Sequence, residues 1–175
     1  MEDIIATWQR EYTDLGAVPY INHVQIFENK GSVMGCSNPH PHGQLWASEH
    51  LPQQILLEDV SQREHWQAHG RSLLADYLEV ELELGERLIH VNEHFAVLVP
   101  FWAVWPFETL LISRRHVGAM TDLDAAERDS LAEALHALTV RYDNLFQVSF
   151  PYSAGFHVRP TLQGDWAHWH FHAHF

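Results

Sequence analysis

Positive charge is scarce in this sequence. Lys30 is its only lysine, and 10 lysines and arginines stand against 23 aspartates and glutamates, for a formal charge of -13 at pH 7. Phosphate backbones are bound by clusters of Lys and Arg, so the balance argues against a nucleic-acid partner. Cysteine is scarcer still: Cys36 stands alone and cannot close an internal disulfide, which agrees with a reducing, cytoplasmic setting. No apolar run approaches the ~18 residues of a membrane span, and the opening MEDIIATWQREY is acidic and helix-like, unlike a secretory signal. Neither export nor a membrane partner is expected.

Histidine is what the chain has in excess, 15 in 175 residues. Imidazoles are mostly uncharged near neutral pH, which suits metal ligation and proton transfer more than charge steering. The length is that of about one domain, and 46% hydrophobic residues suffice for a core.

Periodicity gives the elements. Ile4, Ile5, Trp8, Tyr12 and Leu15 fall on one helical face over residues 2 to 15, with Gly16 as the stop. YINHVQIFENKG alternates as a strand with Val24 and Ile26 inward, and QLWAS reads as its hairpin partner. From Glu58 to Leu84 the spacing of Trp66, Leu73, Tyr77 and Leu78 is helical. Strands are expected at Phe95 to Val99 and Thr109 to Ile112, then a long helix striped by Leu131, Leu135, Leu138, Tyr142 and Leu145 and capped by Thr121 or Asp122. Two strand-like pieces around a Pro160 to Asp165 turn complete an α+β protein of mainly antiparallel sheet, with 51 to 60 as the best boundary. Phe175 falls inside a strand pattern, which reads as truncation.

The most informative stretch is SNPHPHGQLWAS, residues 37 to 48. If it is extended, His40 and His42 share one face roughly 6 to 7 Å apart; Pro41 restricts the pair and Gly43 leaves room for a ligand. An imidazole attacks phosphorus competently, splitting one displacement into two, and Gly35, Ser37 and Gln44 are near enough in sequence to donate to phosphoryl oxygens.

At the other end His168, His170, His172 and His174 alternate with Trp169, Phe171, Ala173 and Phe175. A same-face pair, His157 on a neighbouring strand and a carboxylate from elsewhere would make a mixed N/O site for iron or zinc. Spacing does not choose among the four, and a polar outer strand face is the competing reading. Glu58 and Asp59 read as solvated helix charges, and Trp102, Trp105 and Phe107 as core residues more often than a stacking platform for a ligand.

With these residues in view, the chain resembles the galactose-1-phosphate uridylyltransferase family. The carrying segments are VQIFENKGSVMGCSNPHPHGQLWAS, FWAVWPFETLLI, LTVRYDNLFQVSFPYS and HFHAHF. The resemblance implies two related histidine-triad-like half-barrels, truncated at both ends: residues 1–57 as the end of an N-terminal domain and 58–175 as the start of a C-terminal one. It also implies a homodimer with the active site at the subunit interface.

It implies a ping-pong reaction, in which UDP-glucose gives UMP to a histidine and galactose 1-phosphate collects it as UDP-galactose. His42 matches the nucleophile. Gln44 matches the residue that bonds the uridylyl phosphate, where related hydrolases carry histidine. Phe27, Asn29, Gly35, Cys36 and Ser37 match the lining of the UDP-sugar pocket. His40 matches a ligand of a structural zinc whose other ligands precede this stretch. Glu58, His157, His172 and His174 match a second metal site, for iron or zinc, leaving His168 and His170 as non-ligands. Two alternatives stay open: a histidine-triad nucleotide hydrolase or phosphorylase, and a non-catalytic His-rich metal-binding protein. The 175 residues alone are expected to be poorly active.

Overall fold

The computed structural model describes residues 1–36, 38, 40 and 42–175. Seven strands form one antiparallel sheet in the order β2-β1-β6-β7-β5-β4-β3: β1 His23–Lys30, β2 Gln44–Ser48, β3 Leu88–Val91, β4 Phe95–Leu98, β5 Leu110–Ser113, β6 Tyr152–His157 and β7 His172–His174. The helices are α1 Glu2–Gly16, α2 Gln53–His69, α3 Leu73–Leu84 and α4 Ala125–Phe146. The architecture is α+β, as expected, and the strands on either side of residue 57 share the one sheet through β1 and β6.

Strand alternation divides the side chains between two cores. Val24 and Ile26 of β1, Phe156 of β6, Ala173 of β7 and Leu111 of β5 pack with Trp8 of α1 and Leu131, Leu135 and Leu138 of α4. On the other face Ala96, Leu98, Leu110 and Ile112 pack against Leu74 and Leu78 of α3. The histidines of β6 and β7 alternate with the first set and therefore face the α2/α3 side.

Several local expectations are corrected. The helix expected over 58–84 starts earlier, at Gln53, and is two helices. Gly70 takes the left-handed φ of 68° that ends α2, and the Ser72 hydroxyl accepts from Ala75 N–H to start α3. Gly16 is the last helical residue of α1 and Ala17 the cap. Its reason for being glycine is contact, since a Cβ there would meet Thr161 Cγ2 at 2.6 Å. Ile4, placed on the buried face, is exposed, as is Leu145 in the last turn of α4. Strand β3 was not anticipated.

The cap of α4 is Asp124, not Thr121 or Asp122. Asp124 Oδ1 accepts from Glu127 N–H at 2.9 Å, and Glu127 Oε2 accepts from Asp124 N–H at 2.9 Å. Asp122 instead accepts from Gly118 and Ala119 N–H and pairs with Arg159. Arg115 donates to both Glu127 oxygens, at 2.6 and 2.7 Å, and chiefly this holds the Glu127 carboxyl below its ordinary 4.5. A depressed carboxyl contributes stability above that ordinary value and loses it as pH falls through the lower native one. Glu127→Gln should cost about 1–2 kcal/mol at pH 7, since Arg115 is half-exposed. Urea midpoints of the two proteins should converge in acid; an equal gap at pH 7 and pH 3 would refute the pairing.

Candidate functional site

Two clusters collect the chemistry. The first is built on β6 and β7. In register His157 pairs with His172, and His174 with Gly155, so three imidazoles gather where the fourth position carries no side chain. One ligand atom from each of His157, His172 and His174 lies within 4.8 Å of the others. Helix α2 lays Glu58 over them: His157 Nδ1–H donates to Glu58 Oε2 at 2.8 Å, and His172 Nε2 is 3.7 Å from the same oxygen.

Electrostatics prepare this cluster for a cation. Burial alone would raise the Glu58 carboxyl, but the hydrogen bond and charge of His157, with His172 and Gln54, outweigh it and hold the group at about 2. Burial pushes His172, only 3% exposed, well below the ordinary imidazole range and His174 down to about 4. His172 and His174 held neutral beside an ionised Glu58 are donors of the kind a transition metal takes. His172 Nδ1–H donates to the His170 carbonyl at 2.7 Å, which leaves Nε2 with its lone pair.

His168 and His170 precede β7 and have other partners. His170 is fully buried: Nε2–H donates to Ser113 O at 2.8 Å, Nδ1 accepts from the Ser72 hydroxyl at 2.7 Å, and burial lowers its pKa to about 4. His168 Nε2 lies 2.6 Å from Asp59 Oδ1. The reading of a polar outer face is therefore wrong, because α2 and α3 cover it, and Glu58 and Asp59 are not solvated charges. What sequence reasoning missed is this second row of anchors, Asp59, Ser72 and Ser113, together with His23, buried beside the cluster with Nε2–H donating to Gln25 Oε1 at 3.4 Å. The one available signal was Ser72 after Gly70, a helix restart.

The second cluster is the loop between β1 and β2. His42 Nδ1 is 2.9 Å from the His40 carbonyl; a carbonyl only accepts, so Nδ1 carries the proton and Nε2 the lone pair. Gly43 lets the chain pass Trp8, whose Nε1 would be 3.0 Å from an added Cβ. Asn29, Cys36, His40 and His42 line one open cavity of about 640 Å3. Lys30, which also lines it, is 2.8 Å from Asp143.

The other matched residues are dispersed. Phe27 and Gln44 oppose one another across β1 and β2, with the Phe27 ring edge-on to Trp46. Gly35, at φ 79°, is in the loop, and Ser37 lies outside the described residues. His40 is exposed and, among the described residues, joins no group of three or more candidate metal ligands. The present donors do not complete a zinc site.

Register also measures the separation of the two clusters. Gln44, Phe27, Gly155 and His174 form one row across β2, β1, β6 and β7. Three strand spacings put Gln44 and His174 about 14 Å apart. The core reading of Trp102, Trp105 and Phe107 fails: Trp105 is 75% exposed and the other two are about half so. Pro100 and Pro106 loop the chain outward, and Glu108 accepts from Val104 and Trp105 N–H to hold it there.

Comparison with known proteins bears on both clusters. The family model for the galactose-1-phosphate uridyl transferase C-terminal domain matches residues 58–175, and that for the N-terminal domain matches 1–52. The galactose-1-phosphate uridylyltransferase of Haemophilus influenzae is 50% identical over 175 residues, spanning 100% of this chain and 50% of that protein. That of Rattus norvegicus is 50% identical over 176 residues, 98% of this chain and 46% of the rat protein. A solved uridylyltransferase superposes with a TM-score of 0.92 at 26% identity, over 99% of this chain and 54% of its own. The chain thus spans about half the length of the curated relatives it matches.

Proposed function

Since the chain belongs to the galactose-1-phosphate uridylyltransferase family, we propose that it carries the nucleophile and one metal centre of an enzyme transferring UMP from UDP-glucose to galactose 1-phosphate. The observation that carries this reading is the His42 Nδ1–H bond to its own loop's carbonyl, which leaves Nε2 as the basic nitrogen beside a cavity of about 640 Å3.

In the first half-reaction His42 Nε2 attacks the α-phosphorus. The N–P bond forms as the P–O bond to glucose 1-phosphate breaks, and the electron pair leaves with that phosphate. A phosphate oxygen of galactose 1-phosphate then attacks the same phosphorus, expels His42 and departs as UDP-galactose. Gln44 would donate its amide N–H to a non-bridging oxygen as charge builds there. Phe27, Asn29, Gly35, Cys36 and Ser37 would line the nucleotide sugar, with the domain division at 57/58 and a homodimer as parts of the same reading.

Glu58, His157, His172 and His174 would hold iron or zinc. Bound there, the ion would tie α2 to β6 and β7, and its ligand His174 stands three strand spacings across the sheet from Gln44. His40 would contribute to zinc only alongside ligands not among these residues, and no step runs through zinc.

The test is a hybrid in which these 175 residues replace the matching stretch of the bacterial relative. With uridine-labelled UDP-glucose it should acquire an acid-labile label that galactose 1-phosphate discharges as UDP-galactose. Free UMP in the absence of a sugar phosphate would instead favour a hydrolase. The 175-residue chain alone should transfer at least about 100-fold more slowly, because Lys30 is already paired and no arginine is among the described residues that line the cavity to position a diphosphate. Equal rates for chain and hybrid would refute this.

A further inference from the structure

The register of β1 and β6 sets an unassigned hydroxyl beside a residue matched to the UDP-sugar pocket. Asn29 and Ser153 stand directly opposite one another across the two strands, and Phe27 stands opposite Gly155. Alternation then divides the side chains between the two faces. Lys30 and Tyr152, another opposed pair, belong to the α4 side, where Lys30 Nζ is 2.8 Å from Asp143. Phe27, Asn29, Gly155 and Ser153 therefore share the opposite face, together with Gln44, which opposes Phe27 from β2. Three of the matched residues, Phe27, Asn29 and Gln44, thus lie on one patch of sheet, and β6 completes that patch with Gly155, which has no side chain, and Ser153, which is exposed.

Ser153 Oγ–H donates to Asn29 Oδ1 at 2.6 Å. An amide oxygen only accepts, so this bond assigns the two ends of the Asn29 side chain: Oδ1 is held toward β6, and Nδ2 with both its hydrogens is turned away from it. An amide without such a partner turns end for end through a broad two-fold torsion and presents an acceptor as readily as a donor. The phosphate oxygens of a nucleotide sugar carry negative charge and only accept, so one orientation of Asn29 attracts them and the other repels them.

We infer that Ser153 is a positioning residue of the UDP-sugar site, its hydroxyl fixing the Asn29 amide with Nδ2–H toward an acceptor oxygen of the nucleotide sugar. The identity of the ligand rests on the uridylyl-transfer reading above; the hydrogen bond between the two side chains does not.

The hybrid enzyme tests this. Ser153→Ala should raise KM for UDP-glucose about 5- to 10-fold through lost preorganisation, with kcat and the thermal midpoint nearly unchanged. Ser153→Thr, which keeps the hydroxyl, should stay within about twofold of the starting KM. Asn29→Ala should raise KM at least as much as Ser153→Ala, and adding Ser153→Ala to it should change nothing further, because the hydroxyl then has no amide to orient. A KM indifferent to Ser153→Ala overturns the inference, as does an effect of the same size in the Asn29→Ala background. The transfer reading fails by a different sign: a hybrid that acquires no uridylyl label sinks it, and UDP-glucose affinity by calorimetry then takes the place of KM under the same two criteria. A hybrid that does not bind UDP-glucose at all overturns both.

Discussion

His42→Ala in the hybrid enzyme should remove the covalent uridylyl label entirely and lower kcat for UDP-galactose formation by about 10⁴-fold or more, the scale on which loss of a covalent nucleophile is felt. The reason is specific to one nitrogen. Nδ1 is committed to the His40 carbonyl at 2.9 Å, so Nε2 is the atom with a lone pair to give, and alanine offers none. Because the loop position is only half-buried, the substitution opens no core cavity, and circular dichroism and the thermal midpoint should barely change. UDP-glucose binding should survive within a few-fold, since the sugar nucleotide is held by other groups. Stopped turnover with intact binding is the signature of a missing nucleophile. A label that persists in the alanine variant would defeat the assignment, whatever the residual rate.

The second large effect is on the proposed metal centre. His172→Ala should reduce bound iron or zinc from about one per chain to under a tenth and lower the thermal midpoint by about 10 °C, taking roughly 2–4 °C per kcal/mol for a domain of this size. The ring is 3% exposed, Nδ1–H is bonded to His170 O, and Nε2 faces Glu58. Its removal costs a hydrogen bond, a cavity and a ligand at once. Glu58→Gln should lose the metal with a smaller drop, because its shape is kept. His69→Ala is the control, an exposed histidine on α2 outside the cluster, and should change neither quantity. Full metal occupancy in His172→Ala, measured by elemental analysis, would show that the cluster is not a metal centre.

Much of this is legible in the sequence alone. The β1–β2 hairpin, the α4 stripe from Leu131 to Tyr142 and the inward Val24 and Ile26 follow from period alone, because burial repeats every 2 or 3.6 residues. Failures came where non-local contacts decide. Gly16 looks like a helix stop but is glycine because Thr161, 145 residues later in sequence, leaves no room for a Cβ. Trp102 and Trp105 have core composition, yet the loop between β4 and β5 carries them outward, pinned by Tyr77 and Glu108.

The final histidines draw the line most clearly. By itself the sequence put His172 and His174 on one face of β7, since side chains two apart on a strand point the same way; HPHGQ marked the His40 and His42 pair, of which the family resemblance picks His42. It left the four C-terminal imidazoles equivalent. Beyond the resemblance, it is tertiary structure that separates them: the packing of α2 and α3 sets Asp59 against His168, Ser72 against His170 and Glu58 against His157 and His172. Which imidazoles are held as neighbours and which are free for a cation depends on partners about 100 residues away, and no local period encodes that.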